Sequence, residues 1–358
     1  MTSIGTPDQF TFDPNVVVTN LFLTILVILL FGLTSTVFNS TIDENRDDIA
    51  ASFARLGGRF AFIGAPVGRL DRALKKTGDH TRMATIGRVA IVLGLSGLIY
   101  GFLSPDFGLN QQSVFLFIAL VIGLGFATYL QEGGTTFLAV RRYRADSSVR
   151  LFGAGIIVAI VCVLASRVAG LHPGFVYGFV ASSVLLTPIA LERRAAANLV
   201  ILPSVALLVA SVLAWMAMGP LHVAVQQDAS WTNVLAETIA AAIFVGGLEG
   251  VFYSMIPLTF MDGAVVWQWS RVAWILLFGA ATFLFWQLVI NQYAAYLEAF
   301  KQPTILAILL ILAVYGTLTT VTWLYFRYRH SRDGDQDPDD AAGGGVQSMR
   351  AAESNAEA

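Results

Sequence analysis

The chain has 358 residues, of which 56% are hydrophobic and 13% are charged, and its mean hydropathy is +0.68. A soluble domain carries about 25% charged residues, so this composition excludes an ordinary soluble globular protein and indicates a membrane protein. The formal net charge of −2 suggests neither a nucleic acid nor an acidic substrate as partner. The single cysteine, Cys162, excludes an intrachain disulfide, and its apolar surroundings favour a packing role.

Nine apolar segments follow one another along the chain, each long enough to cross the roughly 30 Å hydrocarbon core as a helix. Because lipid offers no hydrogen-bond partner to an exposed backbone amide, we expect all of them to be helical. They cover residues 16–38, 84–103, 113–140, 151–169, 174–191, 198–218, 234–261, 272–290 and 304–326. No Lys or Arg precedes the first segment, so we expect a retained helix and no cleaved signal peptide. The predicted fold class is an all-α integral membrane protein, a bundle of about nine transmembrane helices.

The distribution of positive charge predicts the orientation of this bundle. With the N-terminus outside, the cytoplasmic side carries every one of the 22 Lys and Arg residues other than Arg167 and Lys301, which lie outside. Cytoplasmic loops of membrane proteins carry such an excess of positive charge. We therefore expect an external N-terminus, a cytoplasmic C-terminus and a location in the plasma (inner) membrane.

The topology divides the chain into five regions. They are an external segment (1–15), a first transmembrane helix (16–40), a basic cytoplasmic loop (41–83), an eight-helix membrane bundle (84–330) and a cytoplasmic tail (331–358). In the loop, arginines interleave with apolar side chains, which is typical of an interfacial helix on the inner leaflet, with 53–76 as a candidate contact with anionic lipid. A helix packed under the bundle explains the pattern equally well. The tail is acidic and then rich in Ala and Gly, so we expect it to be disordered.

Ionisable side chains inside the spans are the strongest functional candidates, because each costs at least roughly 2.5–3.5 kcal/mol there. Glu132 lies in the third span, Glu249 near the middle of the seventh, and Asp262 at the cytoplasmic end of the seventh. With Gln131 they form the candidate polar intramembrane site. The alternative is structural, with each glutamate bonded across a tight helix crossing that it holds in place. Arg167, near the outer end of the fourth span, can extend its side chain to the surface.

Glycines and a proline accompany these carboxyl groups. Gly246 and Gly250 have the spacing that lets two membrane helices approach closely, and Gly263 follows the seventh span. Pro257 removes a backbone donor and should kink or break the seventh helix. The histidines lack the spacing of a metal site, and no nucleotide-binding or nucleophile motif is present. The sequence therefore predicts no metal, no cofactor and no catalytic residue.

The segment VFYSMIPLTFMDGAVVWQWSRVAWILLFG, with YSMIP at 253–257, resembles the signature of the FGLLP motif-containing membrane proteins, found mainly in actinobacteria. Only Pro257 is identical to a letter of that motif. The stretches TVFNSTIDENRDDI and SRVAGLHPGFVYG also resemble this family. The family has no assigned activity, so the resemblance implies the bundle architecture and a bacterial plasma membrane, and no chemistry.

A more distant resemblance joins two separate stretches of the chain. QEGGT at 131–135 before VRR at 140–142, and IP at 256–257 with MDG at 261–263, resemble the zinc-binding elements of site-2 intramembrane metalloproteases. Gln131 and Thr135 replace the two histidines, and they cannot supply the imidazoles that a catalytic zinc requires. Without the metal no water is activated, even with Glu132 in the place of the base. The resemblance implies a zinc-less relative that binds and does not cleave.

Three functions agree with these observations. The first is a non-enzymatic membrane scaffold or regulator whose basic loop and acidic tail contact cytoplasmic partners, and the lack of a complete catalytic constellation favours it. The second is a small-molecule or proton-coupled transporter that uses the glutamates beside interrupted helices. The third is a zinc-less site-2-protease-like pseudo-enzyme. Apart from the lipid bilayer, the sequence identifies no partner.

Overall fold

The computed structural model of the protein describes residues 5–46, 82–145, 147–151, 154–170, 174, 176, 181–185, 192–294 and 296–334. Its helices, in chain order, are α1 (Pro14–Glu44), α2 (Arg82–Gly101), α3 (Gln111–Tyr143), α4 (Ala154–Ala169), α5 (Arg193–Gln227), α6 (Trp231–Ser254), α7 (Asp262–Trp269), α8 (Arg271–Ile290) and α9 (Pro303–Gly334). Short helical turns cover Pro7–Gln9 and Leu297–Phe300, and two strands, β1 (Ser147–Leu151) and β2 (Ala181–Leu185), form an antiparallel pair.

Within these ranges, six helices are long and apolar enough to cross a membrane: α1, α3, α5, α6, α8 and α9. Two further helices, α2 and α4, contain the shorter apolar stretches Val89–Gly101 and Ala159–Val168. This part of the chain therefore fits a helical membrane protein.

Polar side chains start several of these helices by satisfying amides that have no partner inside the helix. Asp13 accepts from the amide of Asn15 at 2.9 Å, and Pro14 occupies the first position of α1. At the start of α3, the side chain of Asn110 accepts from the amide of Ser113 at 2.8 Å. Such caps are worth about 1 kcal/mol each, and proline is favoured at the first helical position.

The main core lies between α1, α6 and α8. Trp274 and Phe278 of α8 are fully buried and stack with ring centroids 4.9 Å apart. Phe31 of α1 meets Phe278 edge-on at 5.9 Å, and Phe252 of α6 stacks on the same ring at 5.5 Å. Aromatic pairs of this kind add about 0.5–1.5 kcal/mol beyond the area they bury.

Side-chain contacts establish the relative directions of α3, α5 and α6. Gln131 of α3 bonds to Ser204 of α5, and four residues further along α3, Thr135 bonds to the carbonyl of Leu199. The contact moves backwards along α5, so α3 and α5 are antiparallel. A three-residue turn at 228–230 joins α5 to α6, which therefore also runs opposite to α5. It follows that α3 and α6 are parallel.

The helices α2, α4 and α5 all run opposite to α3. A Cβ on Gly97 of α2 would meet Val121 of α3, and a Cβ on Gly125 would meet Leu93, so α2 and α3 are antiparallel. At the far end of α4, the guanidinium of Arg167 donates to the carbonyl of Phe102, just after α2 ends. Helices α4 and α5 are therefore parallel to each other. We call the described residues between them, 170, 174, 176, 181–185 and 192, the return segment.

The helix that we predict over 174–191 is wrong in the described part of the return segment. Residues 174 and 176 are non-helical, and Ala181–Leu185 is a strand that pairs with β1, from Ser147 opposite Leu185 to Leu151 opposite Ala181. In the ladder between β1 and β2, the backbone groups along the facing edges of the two strands pair with each other. A short apolar run does not distinguish a strand from a helix.

Other predicted boundaries shift by a few residues or more. The first helix continues to Glu44, and the fourth begins at Ala154 because Leu151 belongs to β1. The seventh predicted segment, 234–261, is helical only to Ser254. Most of the basic loop (47–81) and of the tail (335–358) lies outside the described residues, and so does the candidate lipid contact at 53–76.

Candidate functional site

Glu249 is the most deeply buried charged side chain among the predicted site residues, with 0% of its surface exposed. It lies on α6, five residues before the helix ends at Ser254. Its Oε2 accepts a hydrogen bond from the backbone amide of Val176, in the return segment. Its Oε1 has no hydrogen-bond partner among the residues that the structure describes. A carboxylate has about four lone-pair sites, so a single amide donor satisfies little of this group.

Three further ionisable side chains, Tyr253, Tyr100 and Cys162, lie in the same part of the bundle as Glu249. Tyr253 follows it by one turn of α6, and its buried hydroxyl group interacts electrostatically with Glu249, with Cys162 of α4 and with Tyr100 of α2. Tyr100 is 2% exposed, and Cys162 is half-buried. Helices α2, α4 and α6 therefore bring four ionisable groups together inside the bundle.

A small crevice lies one helical turn from Glu249 on the same face of α6. It is lined by Leu120, Leu124, Val176, Ala242, Val245 and Gly246. Its free space holds about one water molecule. The side chains that line it are apolar, and Glu249, three residues after Gly246, is the next polar side chain along α6.

The glycines of α6 play different roles from those expected. A Cβ on Gly246 would meet no atom within 4 Å, so Gly246 borders the crevice and makes no close helix contact. The close approach is made by Gly247, against Ser211 and Leu207 of α5. Gly250 is buried. A second tight crossing joins Gly123 of α3 to Ala242, where a Cβ would lie 2.9 Å from the backbone.

Gln131 and Glu132 lie on a π-helical turn, Tyr129–Gly133, within α3. The Nε2 of Gln131 donates to the hydroxyl of Ser204 at 2.9 Å, and Glu132 is 8% exposed. Single π-turns inside α-helices occur frequently at functional sites. Strand β2 packs beside this turn.

The two glutamates lie at similar depth on parallel helices. Gly123 of α3 and Ala242 of α6 are in contact. Glu132 lies nine residues after Gly123, and Glu249 lies seven residues after Ala242. At 1.5 Å per residue these positions differ by roughly 3 Å along the helix axes. The contacts of the described residues do not join the two carboxyl groups directly. Instead the return segment borders both, with Val176 on Glu249 and β2 beside the π-turn.

The chain breaks after α6, where Pro257 was expected to interrupt the helix. Side chains of other helices bond to the backbone groups that have no helical hydrogen-bond partner at the break. Asn39 of α1 donates to the carbonyl of Pro257 at 2.9 Å and accepts from the amide of Thr259 at 3.0 Å. The indole of Trp274 donates to the carbonyl of Met255 at 2.7 Å.

Asp262 belongs to this break and not to the cluster around Glu249. It is the first residue of α7 and is half-buried, and desolvation raises its pKa from 3.8 to about 6. The next residue, Gly263, packs directly on the carbonyl groups of Met255 and Ile256, where a Cβ would collide. Asp262 therefore lies where α7 folds back against the end of α6.

A buried amide network that we did not predict links α1 to α8. Asn20 Nδ2 donates to Gln287 Oε1 at 2.7 Å and to the carbonyl of Asn291 at 2.9 Å, and Asn291 Nδ2 donates to Asn20 Oδ1 at 2.7 Å. All three side chains are at most 2% exposed. In the sequence, these residues are amide side chains inside or next to apolar spans. They carry no charge, so the cost of burying a charge did not identify them.

The described residues contain no group of three or more His, Cys, Asp or Glu side chains that could hold a metal ion. His222 and Glu237 form a pair with Nδ1 and Oε1 2.7 Å apart, where α5 turns into α6. Arg167 is exposed and donates to the carbonyl groups of Phe102 and Ser104, just after the end of α2.

Comparisons with known protein families, curated proteins and solved structures find no match to this chain. The fold and the site define the class as a helical membrane protein with a buried carboxyl group in its bundle.

Proposed function

We propose that this protein is a membrane transporter that binds a coupling cation at Glu249. One observation carries the proposal: a fully buried carboxyl group on α6 faces the non-helical backbone at Val176. One of its oxygens accepts from the Val176 amide, and the other has no hydrogen-bond partner among the described residues.

Non-helical backbone at membrane depth is tolerated only where protein covers it or where it lines a cavity. Secondary transporters place such segments beside their substrate and ion sites. The return segment has this character at Val176, and it borders both Glu249 and the π-turn that carries Glu132. A carboxyl group in this position is expensive to bury, which favours a functional role over packing alone.

We further propose that the chain crosses the plasma membrane nine times, with the N-terminus outside and the C-terminus inside. The directions of α2, α3, α5 and α6 support consecutive helical crossings, and the parallel directions of α4 and α5 support one further crossing between them. The excess of Lys and Arg on one side supports the orientation.

The other two predicted functions remain predictions. The scaffold or regulator depends on the basic loop and the acidic tail, most of which lies outside the described residues. The pseudo-enzyme depends on the resemblance to site-2 proteases. The relation to the FGLLP motif-containing family is likewise a proposal, supported by the quoted residues alone.

Access to the crevice from each side of the membrane tests the transporter without knowledge of its cargo. Cys162 is replaced by Ser, and Gly246 by Cys, which the open space around Gly246 accommodates. Right-side-out and inside-out vesicles are treated with a membrane-impermeant thiol reagent. Ala241→Cys is the matched control, since Ala241 is 4% exposed on a different, closely packed part of α6.

A carrier that alternates between two open states exposes the introduced Cys to both sides, so we expect labelling in both vesicle preparations and none of the control. Labelling from one side only, or from neither side, contradicts the transporter. Equal labelling of Ala241→Cys would show that the packing of α6 is loosened, and the labelling of Gly246→Cys would then no longer support the transporter.

A further inference from the structure

Glu249 has surroundings that distinguish between the cations that a membrane carrier can use. Ca²⁺ and Mg²⁺ bind about six or more oxygen ligands, whereas a proton needs a single lone pair. Among the described residues, Oε1 of this carboxyl group has no hydrogen-bond partner. The other oxygen, Oε2, already accepts from the amide of Val176, whose N–H repels a cation. The neighbouring crevice is lined by apolar residues and holds about one water molecule.

We infer that Glu249 is a proton-binding site and that the coupling ion of the proposed transporter is H⁺; this rests on the proposed function. The proton binds to Oε1 and leaves from it, converting the carboxylic acid to a carboxylate and back, and no other bond changes. When the proton leaves, the Val176 amide on Oε2 stabilises the negative charge.

The titratable group beside Glu249 on its own helix is Tyr253, which in turn interacts with Tyr100 on α2 and Cys162 on α4. Glu132 on α3 lies at similar depth, and α5 presents Leu207 and Ser211, which do not titrate, to the adjacent Gly247. Tyrosine and cysteine side chains ordinarily keep their protons up to about pH 8. We therefore assign the exchangeable proton to Glu249.

Infrared difference spectroscopy of the purified full-length protein in detergent tests this assignment. The pH is raised from acid to alkaline in choline chloride, and the C=O band of protonated carboxylic acid is followed. The titration is repeated in sodium chloride at equal ionic strength. We compare the parent with Glu249→Gln and with Glu237→Gln, a half-buried glutamate at the other end of the same helix, which bonds to His222.

We expect the parent and Glu237→Gln to lose the same band with rising pH, at a midpoint that is equal in sodium and in choline. Glu249→Gln should lack this component. If Glu249→Gln does not fold, Glu249→Asp replaces it, with the band kept and its midpoint moved, because the shorter side chain draws away from the Val176 amide.

A midpoint that moves with sodium concentration overturns the proton assignment, and so does a parent spectrum without the component. Together with the labelling of Gly246→Cys, the results separate the two proposals. If Gly246→Cys is labelled from both sides and Glu249 does not titrate, the transporter proposal stands and the proton-binding proposal is refuted. A titrating Glu249 without labelling from both sides retains the proton site and refutes the carrier.

Discussion

Asn39 of α1 donates to the carbonyl of Pro257 at 2.9 Å, joining two residues that are 218 positions apart in the sequence. The same side chain accepts from the amide of Thr259, so a single residue bonds to two backbone groups within the helix break. Pro257 itself is buried, and water cannot readily replace the partner of its carbonyl group. The break after α6 therefore depends on α1 for its hydrogen bonds.

Replacing Asn39 by Ala should destabilise the protein by about 1–3 kcal/mol, because a buried acceptor at the break loses its donor. Thermal unfolding in detergent measures the loss. Ser40→Ala is the matched control, since the Ser40 hydroxyl is exposed and bonds only within its own helix, to Val37. Equal unfolding temperatures for Asn39→Ala and Ser40→Ala would show that the break holds without this contact.

The network of Asn20, Gln287 and Asn291 predicts a cooperative loss of stability. Asn20→Leu removes a donor from Gln287 and from the carbonyl of Asn291, and leaves the amide of Asn291 short of an acceptor. Hydrogen bonds between membrane helices contribute about 0.6 kcal/mol on average, up to about 1.7. We expect a loss of about 1–3 kcal/mol for Asn20→Leu in thermal unfolding.

Combining Asn20→Leu with Asn291→Leu distinguishes a network from separate contacts. The second substitution should cost less in the variant background than in the parent, because its main partner is already gone. Gln112→Leu, at an exposed position near the start of α3, is the control for a polar-to-apolar change. Strict additivity of the two losses would contradict the network.

The sequence predicted the long helices because an apolar run of about 20 residues has few alternatives in lipid. It failed at Ala181–Leu185, where the pairing of β2 with β1 depends on contacts distant in sequence. For Glu249 the cost of burial identified the residue. Its partner is the backbone amide of Val176, and a backbone amide leaves no residue-specific mark in the sequence.

Gly123 provides a test of the tight crossing that sets the register of α3 against α6. A Cβ at this position would lie 2.9 Å from the backbone carbon and oxygen of Ala242, so Gly123→Ala must push the two helices apart. Overpacking of this kind costs typically 1–3 kcal/mol. Gly94→Ala is the matched control in α2, since its Cβ would meet no atom within 4 Å, and alanine is the better helix former. A stability of Gly123→Ala equal to that of Gly94→Ala would mean that the helices separate at no cost.

Asp262 makes the stability of the protein depend on pH in a defined window. Burial raises its pKa from 3.8 to about 6, so the folded protein holds this proton more tightly than the unfolded chain does. The resulting stabilisation is fully present below about pH 4 and is lost as the pH rises through 6, at most about 3 kcal/mol in total. The group that costs stability at neutral pH is thus the ionised carboxylate at the start of α7.

Asp262→Asn removes this charge and should unfold at a higher temperature than the parent at neutral pH, with the difference vanishing near pH 4. Unfolding temperatures in detergent across this range measure the effect, with Asp228→Asn as the control at an exposed turn. A variant less stable than the parent at neutral pH would mean that the carboxylate is held by favourable interactions with the N-terminus of α7, which stabilise an anion there. In that case the folded-state pKa of Asp262 would lie at or below its unfolded value of 3.8, and the predicted loss of stability with rising pH would be absent from the parent protein.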